Sequence, residues 1–339
     1  MKQIISIQIL RGIAAWFVVF HHYIQLLHLE HNSGLAWFFA KKGAFGVNIF
    51  FIISGFIMYI TLTKKNYLAK DFIVHRILRI LPAYWFYTFL TVLFCYYFPQ
   101  EILNTSYNIK SLFLSLLFLP SLNPSGIGVF PLLTVGWTLN FELFFYLMLT
   151  ICILFFKKKN IFIACSIIML ALPLIKFSTI PLLWRYTHIL NNFIIYEFIF
   201  GIMIASLYKK KTFSYNIFYT LIIAITAMFL LMIGDKKSIY WSFSATLLII
   251  SALSIEKNLL SLNFKFLHLL GDTSYSTYLV HILLIGLFKY YFSVKEPFLE
   301  FIFLLTLSMS IFFLSWLSYI IVEKYPVILY KKLIRKNYK

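Results

Sequence analysis

Charge is scarce in this chain, and acid is scarcer still. Of 339 residues 12% are charged, with only 11 Asp and Glu against 30 Lys and Arg. Soluble domains carry about 25% charged residues. Here 62% of residues are hydrophobic and the mean hydropathy is +0.88. A soluble core saturates well below that, and the surplus would coat the surface, so a soluble fold is excluded. Cysteine is nearly missing. Cys95, Cys152 and Cys165 each sit in an apolar run without a C-x-x-C partner, which leaves no disulfide framework and reads as three small buried hydrophobes. No HExxH or comparable ligand spacing occurs, so no metal site is expected. No small-residue cleavage site follows the first apolar run, which is read as a retained helix and not a signal peptide.

What the chain has instead is apolar runs. A membrane-crossing helix needs about 20 mainly apolar residues in a row. Ten such runs lie near 6–28, 43–62, 79–98, 131–155, 160–178, 190–208, 213–233, 238–255, 273–292 and 298–322. The fold class expected is an all-α integral membrane protein, a bundle of about ten transmembrane helices. SLFLSLLFL (111–119) is too short to span and reads as a re-entrant or interfacial helix in a proline-rich loop. With the N-terminus inside, 20 of the 30 Lys and Arg fall on inside segments and nine outside, Arg11 lying within a span. Both termini are therefore expected in the cytoplasm. The net charge of +19 is what loops facing anionic lipid would carry, and it calls for no nucleic-acid partner.

Polar groups that a membrane interior should reject are the functional candidates. RGIAAWFVVFHH (11–22) begins with an arginine and ends with a histidine pair. Arg11 and His22 are about three helical turns apart, so both project from nearly one face, about 16 Å apart along the axis. Glu142 in VGWTLNFELFFY (135–146) and His281 in GDTSYSTYLVH (271–281) fall at comparable depth. Asn48 in GAFGVNIFFIISGF (43–56) and Glu197 in YEFIFG (196–201) are also intramembrane. FIVHRILRILPAYW (72–85) places Arg76 and Arg79 at the cytoplasmic mouth of the third helix. Their i, i+3 spacing turns both guanidinium groups one way, as a clamp for a phosphorylated ligand.

Each candidate has a plainer reading. Arg76 and Arg79 suit positive-inside anchors, Glu142 and His281 suit satisfied groups of a bundle, and Asn48 and Glu197 suit helix–helix hydrogen bonding. Tyr275 and Tyr278 suit packing or hydrogen bonding. His28, His31, His75, His188 and His268 read as interfacial. Taken together, a base in the outer half, a mid-depth carboxylate and a cytoplasmic arginine pair suit a reaction bridging two compartments. Histidine is the natural base for a hydroxyl proton near neutral pH.

In order along the chain, RGIAAWFVVFHH, GAFGVNIFFIISGFIM, FIVHRILRILPAYW, GWTLNFELFFY and GDTSYSTYLVH resemble the successive motifs of the membrane acyltransferase-3 family. YEFIFG resembles its E-x-x-x-G segment and VEKYP (322–326) its closing E-x-P stretch. Each motif alone is weak; the ordered series, covering essentially the whole chain, is specific. The resemblance implies a multi-pass enzyme of the bacterial inner membrane, a single domain over 1–339 with no appended hydrolase-like domain. It implies transfer of an acyl group, often acetyl, from cytoplasmic acyl-CoA to a sugar hydroxyl of O-antigen, capsule or exopolysaccharide. Acyl-CoA is then a co-substrate, and no cofactor is bound permanently. The partners are acyl-CoA, an extracytoplasmic or lipid-linked glycan, and membrane lipids.

Carried over by residue, Arg11 and His22 match the family's essential first-helix pair, and Arg76 and Arg79 its R-x-x-R, expected to face CoA. Glu142 joins the catalytic set, with Asn48, Trp137, Ser274, Tyr275 and His281 as acceptor-side or supporting positions. Many members carry Asp where this chain has Asn48, so an acid–base role there is not implied. Under this reading His22 takes the proton of a hydroxyl that attacks the thioester, while Arg11 secures the donor or orders the helix entry. An acyl-histidine intermediate satisfies the same residues. Glu142 orients His22 or another donor, and the loop 99–131 is a candidate lid over the acceptor. A transporter or flippase for a lipid-linked sugar or small solute would also bury charge, but no first-half motif recurs in the second half. A partner-dependent accessory subunit of polysaccharide assembly is a third reading.

Overall fold

Backbone in hydrocarbon must satisfy its own hydrogen bonds, and a helix does so within one segment. The computed structural model describes residues 4–27, 34–63, 68–98, 104–158, 160–174, 194–210, 213, 216–235, 238–260, 265–291 and 297–337. Among these the regular elements are helical, with one isolated antiparallel bridge between Leu122 and Val129. They are α1 (Ile5–Leu26), α2 (Gly34–Lys42), α3 (Gly46–Leu62), α4 (Ala69–Tyr97), α5 (Ile109–Leu116), α6 (Trp137–Phe155) and α7 (Ile161–Ala171). There follow α8 (Ile194–Lys209), α9 (Ile217–Ile233), α10 (Ile239–Ser254), α11 (Glu256–Leu260), α12 (Lys265–Tyr291), α13 (Pro297–Ser318) and α14 (Tyr325–Asn337). A π-turn, Tyr319–Lys324, joins the last two. His28, His31, His188 and the segment 175–193, which includes the end of the fifth apolar run and the start of the sixth, lie outside the described residues.

A helix overlies each of the ten apolar runs. Among the described residues, five continuous stretches are long and apolar enough to cross a membrane: Ile5–Leu26, Gly34–Leu62, Ala69–Tyr97, Thr134–Phe155 and Leu299–Tyr330. Ile161–Leu174, Ile217–Ile233 and Ile239–Ser254 are apolar but shorter. Two helices begin well ahead of their hydropathy boundaries. α4 starts at Ala69 instead of near 79, so Arg76 and Arg79 stand within the helix, about two to three turns from its start. Lys70, Asp71, His75 and both arginines depress hydropathy without opposing helix. Likewise α12 begins at Lys265, ahead of the expected 273. The short run near 111–119 is α5, opened by a reciprocal capping box between Asn108 and Ser111.

The chain divides into two compact units, each built from separate stretches. The first comprises 1–25, 29–69 and 144–272; the second 26–28, 70–143 and 273–339. In the first unit α3 and α8 meet at backbone contact. A Cβ on Gly55 would overlap the Phe198 carbonyl oxygen, and one on Gly201 the Ile52 carbonyl oxygen. Small residues allow this approach, which apolar packing alone does not drive in lipid. Ile49, Ile52, Phe56, Ile204, Ala205, Trp241 and Ile249 form the surrounding core. Lys42, one of the nine cations counted outside by sequence, is buried and donates to the carbonyls of Met232 at 2.8 Å and Gly234 at 2.6 Å. It thereby closes the C-terminus of α9.

The start of α1 is held from far along the sequence. Glu256, at the head of α11, accepts from the backbone N–H groups of Ile5 and Ser6, both at 2.8 Å. A carboxylate there satisfies two first-turn donors and meets the positive end of the helix dipole. Glu256→Ala is expected to cost about 1–2 kcal/mol by analogy with lost caps. Glu256→Gln should also destabilise, because its amide oxygen replaces only one of the two acceptors and its amide nitrogen faces the other N–H. Thermal melts of the purified protein in detergent would decide it, and an alanine variant melting with wild type would sink the assignment.

In the second unit, the loop expected as a lid is a hydrogen-bonded scaffold over its described part. Asn123 donates to Thr105 Oγ1 at 2.9 Å and to the Pro131 carbonyl at 3.2 Å, while its Oδ1 accepts from Ser125 N at 3.0 Å. Positive φ at Gly126 and Gly128 turns the chain back so that Val129 bridges to Leu122.

Candidate functional site

The two units hold different parts of the expected set. In the first, Arg11 and His22 lie on the single uninterrupted helix α1, both partly exposed. The ring of His22 sits 5.2 Å from that of His21. His21 is committed elsewhere: its Nδ1 lies 3.1 Å from the Phe39 carbonyl, and a carbonyl only accepts, so this nitrogen carries the proton. Gly43 lets the turn before α3 approach that point of α1, since a Cβ on it would lie 2.7 Å from the Phe17 carbonyl oxygen. Arg11 donates through a terminal nitrogen to Gln8 Oε1 at 2.8 Å, and Gln8 Nε2 donates to Asp272 Oδ1 at 2.8 Å.

Asn48 belongs to a separate cluster of the first unit. Its amide nitrogen donates to Glu197 Oε1, which also accepts from Ser242 Oγ at 2.8 Å. Glu197 is fully buried. An aspartate in place of Asn48 would set two carboxylates face to face, where sharing a proton is the only neutral arrangement. The amide avoids that, so Asn48 and Glu197 form a hydrogen bond between α3 and α8.

In the second unit, α4, α6 and α12 bring polar groups together. The Tyr275 hydroxyl donates to the Ile80 carbonyl at 3.0 Å, and the charges of Glu142, Glu323 and Arg79 act on it. Arg76 stacks its guanidinium over the Phe72 ring, 6.0 Å from the centroid. Glu323 projects from the π-turn and accepts from Ser276 Oγ at 2.5 Å and Ser276 N at 3.1 Å. π-turns of this kind recur at functional sites. Tyr278 donates to the Val135 carbonyl at 3.0 Å, and Thr138 donates to the Tyr278 hydroxyl at 3.1 Å. His281 is fully buried, with Nδ1 3.1 Å from the Thr277 carbonyl. That bond fixes the proton on Nδ1 and makes Nε2 the acceptor of the neutral ring. Ser274, seven residues earlier on α12, is also buried. Trp137 opens α6 with its ring edge-on to Phe141, 5.6 Å between centroids. Gly136 precedes Trp137 because a Cβ there would lie 2.6 Å from the Tyr84 ring.

Arg79, Glu142 and Tyr275 therefore share one neighbourhood, whereas Asn48 belongs to the Glu197 pair. Sequence reasoning passed over Gln8, Asp272, Ser242 and Glu256. Gln8 carried a readable signal, its i, i+3 spacing to Arg11. The others find partners far away in sequence, and no local spacing announces them. Among the described residues no group of three or more His, Cys, Asp or Glu could hold a metal ion.

Comparison with known proteins adds an independent observation. A family described as "Acyltransferase domain" (Acyl_transf_3) matches residues 4–319. The chain is 30% identical over 266 residues to the "Exopolysaccharide production protein ExoZ" of Rhizobium meliloti (strain 1021), covering 76% of this chain and 80% of that protein. No solved structure matches it.

Proposed function

The chain belongs to this acyltransferase family, and from that premise we propose that it acylates a cell-surface polysaccharide across the bacterial inner membrane. The donor is cytoplasmic acyl-CoA, acetyl-CoA in the first instance, and the acceptor a hydroxyl of an extracytoplasmic or lipid-linked sugar. The observation that carries the proposal is a family match spanning nearly the whole chain, with the Arg11–His22 pair standing on one face of one helix. The resemblance to a protein named for exopolysaccharide production supports a glycan acceptor. The ten apolar runs support ten spans, and the lysine and arginine bias supports both termini in the cytoplasm.

His22 takes the proton from the acceptor hydroxyl as its oxygen attacks the thioester carbonyl. The carbon–sulfur bond breaks, the sugar ester forms, and CoA leaves as thiolate and recovers that proton. Arg11 steadies the donor. Arg76 and Arg79 hold the CoA phosphates by charge-assisted hydrogen bonds. Glu142, whose charge reaches Tyr275, sets the polar environment of the second unit, and Asn48, Trp137, Tyr275, Ser274 and His281 are supporting residues.

The test is to supply radiolabelled acetyl-CoA to membranes with and without the expressed chain, and to follow label into the envelope glycan. Label dependent on the chain supports the reading. Equal label in both, with longer acyl-CoA donors equally inert, overturns it. Within an active preparation, Arg76→Ala or Arg79→Ala should raise the KM for acyl-CoA about tenfold or more, the worth of a hydrogen bond to a charged group. The rate at saturating donor should change little. A large fall in kcat at unchanged KM would remove both arginines from the donor contact.

A further inference from the structure

Arg11 is held by residues to which the proposed reaction assigns no role. The N-terminal half of α12 approaches α1 at backbone distance because two glycines face the contact. A Cβ on Gly271 would overlap the Gln8 carbonyl oxygen, and one on Gly12 would lie 2.9 Å from Leu270 Cβ. That approach brings the Asp272 carboxylate within 2.8 Å of Gln8 Nε2, while Gln8 Oε1 accepts from Arg11 at 2.8 Å. Gln8 is buried, and both ends of its amide are used. Arginine can only donate and aspartate can only accept, so chemistry fixes which way the amide points. Glutamine is the residue that can serve both at this length. One turn earlier Glu256 holds the N–H groups of Ile5 and Ser6, so the helix that carries Arg11 is anchored at its start as well.

We propose that Asp272 and Gln8 are positioning residues for Arg11, a carboxylate–amide–guanidinium relay that fixes where the guanidinium points. Its catalytic consequence rests on the acyl transfer proposed above. The relay can be reversed without removing it. In Gln8→Glu the side chain at position 8 can still accept from Arg11, but its second oxygen now faces the Asp272 carboxylate where an N–H donated, and the repulsion pushes residue 8 off the position that holds the guanidinium. In the double variant Gln8→Glu/Asp272→Asn, the new carboxylate at position 8 accepts from Arg11 directly, and the new amide at position 272 donates to that carboxylate. The hydrogen bond between the two positions runs the other way and the geometry returns. Asp272→Asn alone keeps an acceptor oxygen for Gln8 and should act weakly.

The experiment measures acyl transfer and thermal melting of purified wild type, both single variants and the double. Gln8→Glu should lower kcat by about 10–100-fold, the scale of a displaced catalytic contact, and lower the melting temperature. The double should recover most of both. A purely space-filling role would show no such recovery, since the second change adds no volume. If Gln8→Glu behaves as wild type, or the double is no better than Gln8→Glu, the relay is overturned. If wild type itself transfers no acyl group, the proposed function falls and the melting cycle alone decides the relay: recovery keeps it, and no recovery removes it.

Discussion

Leucine at position 201 should leave no folded protein. Gly201 faces α3 where a Cβ would overlap the Ile52 carbonyl oxygen, lie 2.7 Å from Phe56 N and 3.0 Å from Gly55 Cα. Those are backbone atoms, and no rotamer change moves them aside. Gly55 makes the reciprocal approach to Phe198, so the contact fails from both sides at once. Overpacking a well-filled core costs about 1–3 kcal/mol where side chains can shift, and here the helix axes must separate instead. Separation would also part Asn48 from Glu197 and leave a fully buried carboxylate short of a donor. A buried acceptor left without its donor costs about 1–3 kcal/mol, more for a charged group. The Phe51 and Phe198 rings, edge-on at 5.0 Å, sit on the same seam. Gly201→Ala should be intermediate, and Met203→Leu, exposed on the same helix, should behave as wild type. Size-exclusion profiles and melts in detergent give the answer. A Gly201→Leu protein with the wild-type profile and melting temperature would show that α3 and α8 do not meet at backbone distance.

The glycines and the pairings differ in how far a sequence discloses them. Apolar runs were legible because hydrocarbon demands about 20 consecutive apolar residues and an internally bonded backbone. The starts of α4 and α12 were not legible, because hydropathy reports the solvent a segment prefers and says nothing against a helix that continues into polar residues. Lys42 looked like an outside cation because its acceptors, the Met232 and Gly234 carbonyls, lie on a segment far along the chain. The same distance hid Asp272 from Gln8 and Glu256 from the start of α1. Gly201 and Gly55 were visible within quoted motifs, yet their reason, each facing the other helix's backbone, is a property of two segments together. Arg11 and His22 were legible as a pair because the helix that relates them is local, and helical periodicity needs no tertiary information.

His22→Ala is expected to remove acyl transfer while leaving donor binding intact. The side chain is partly exposed on α1, so its loss opens no sealed cavity and the fold should persist. Removing a general base costs about 10²–10⁴ in rate, and that loss should appear in kcat. The KM for acyl-CoA should hold, since the proposed phosphate contacts are Arg76 and Arg79. His21 supplies the control. Its Nδ1–H bonds the Phe39 carbonyl, so His21→Ala should lower the melting temperature and retain most of the rate. The two histidines thus separate by readout, one moving turnover and the other stability. Wild type and His22→Ala also separate direct attack from covalent catalysis. If His22 carries the acyl group, wild type incubated with donor and no acceptor should gain an acyl mass at that residue, and His22→Ala should not. If His22 is a base, neither protein gains mass, yet only wild type transfers label once acceptor is added. A His22→Ala enzyme with wild-type kcat would discard both chemistries and return the base to the buried ring of His281, whose Nδ1 proton is already fixed by Thr277.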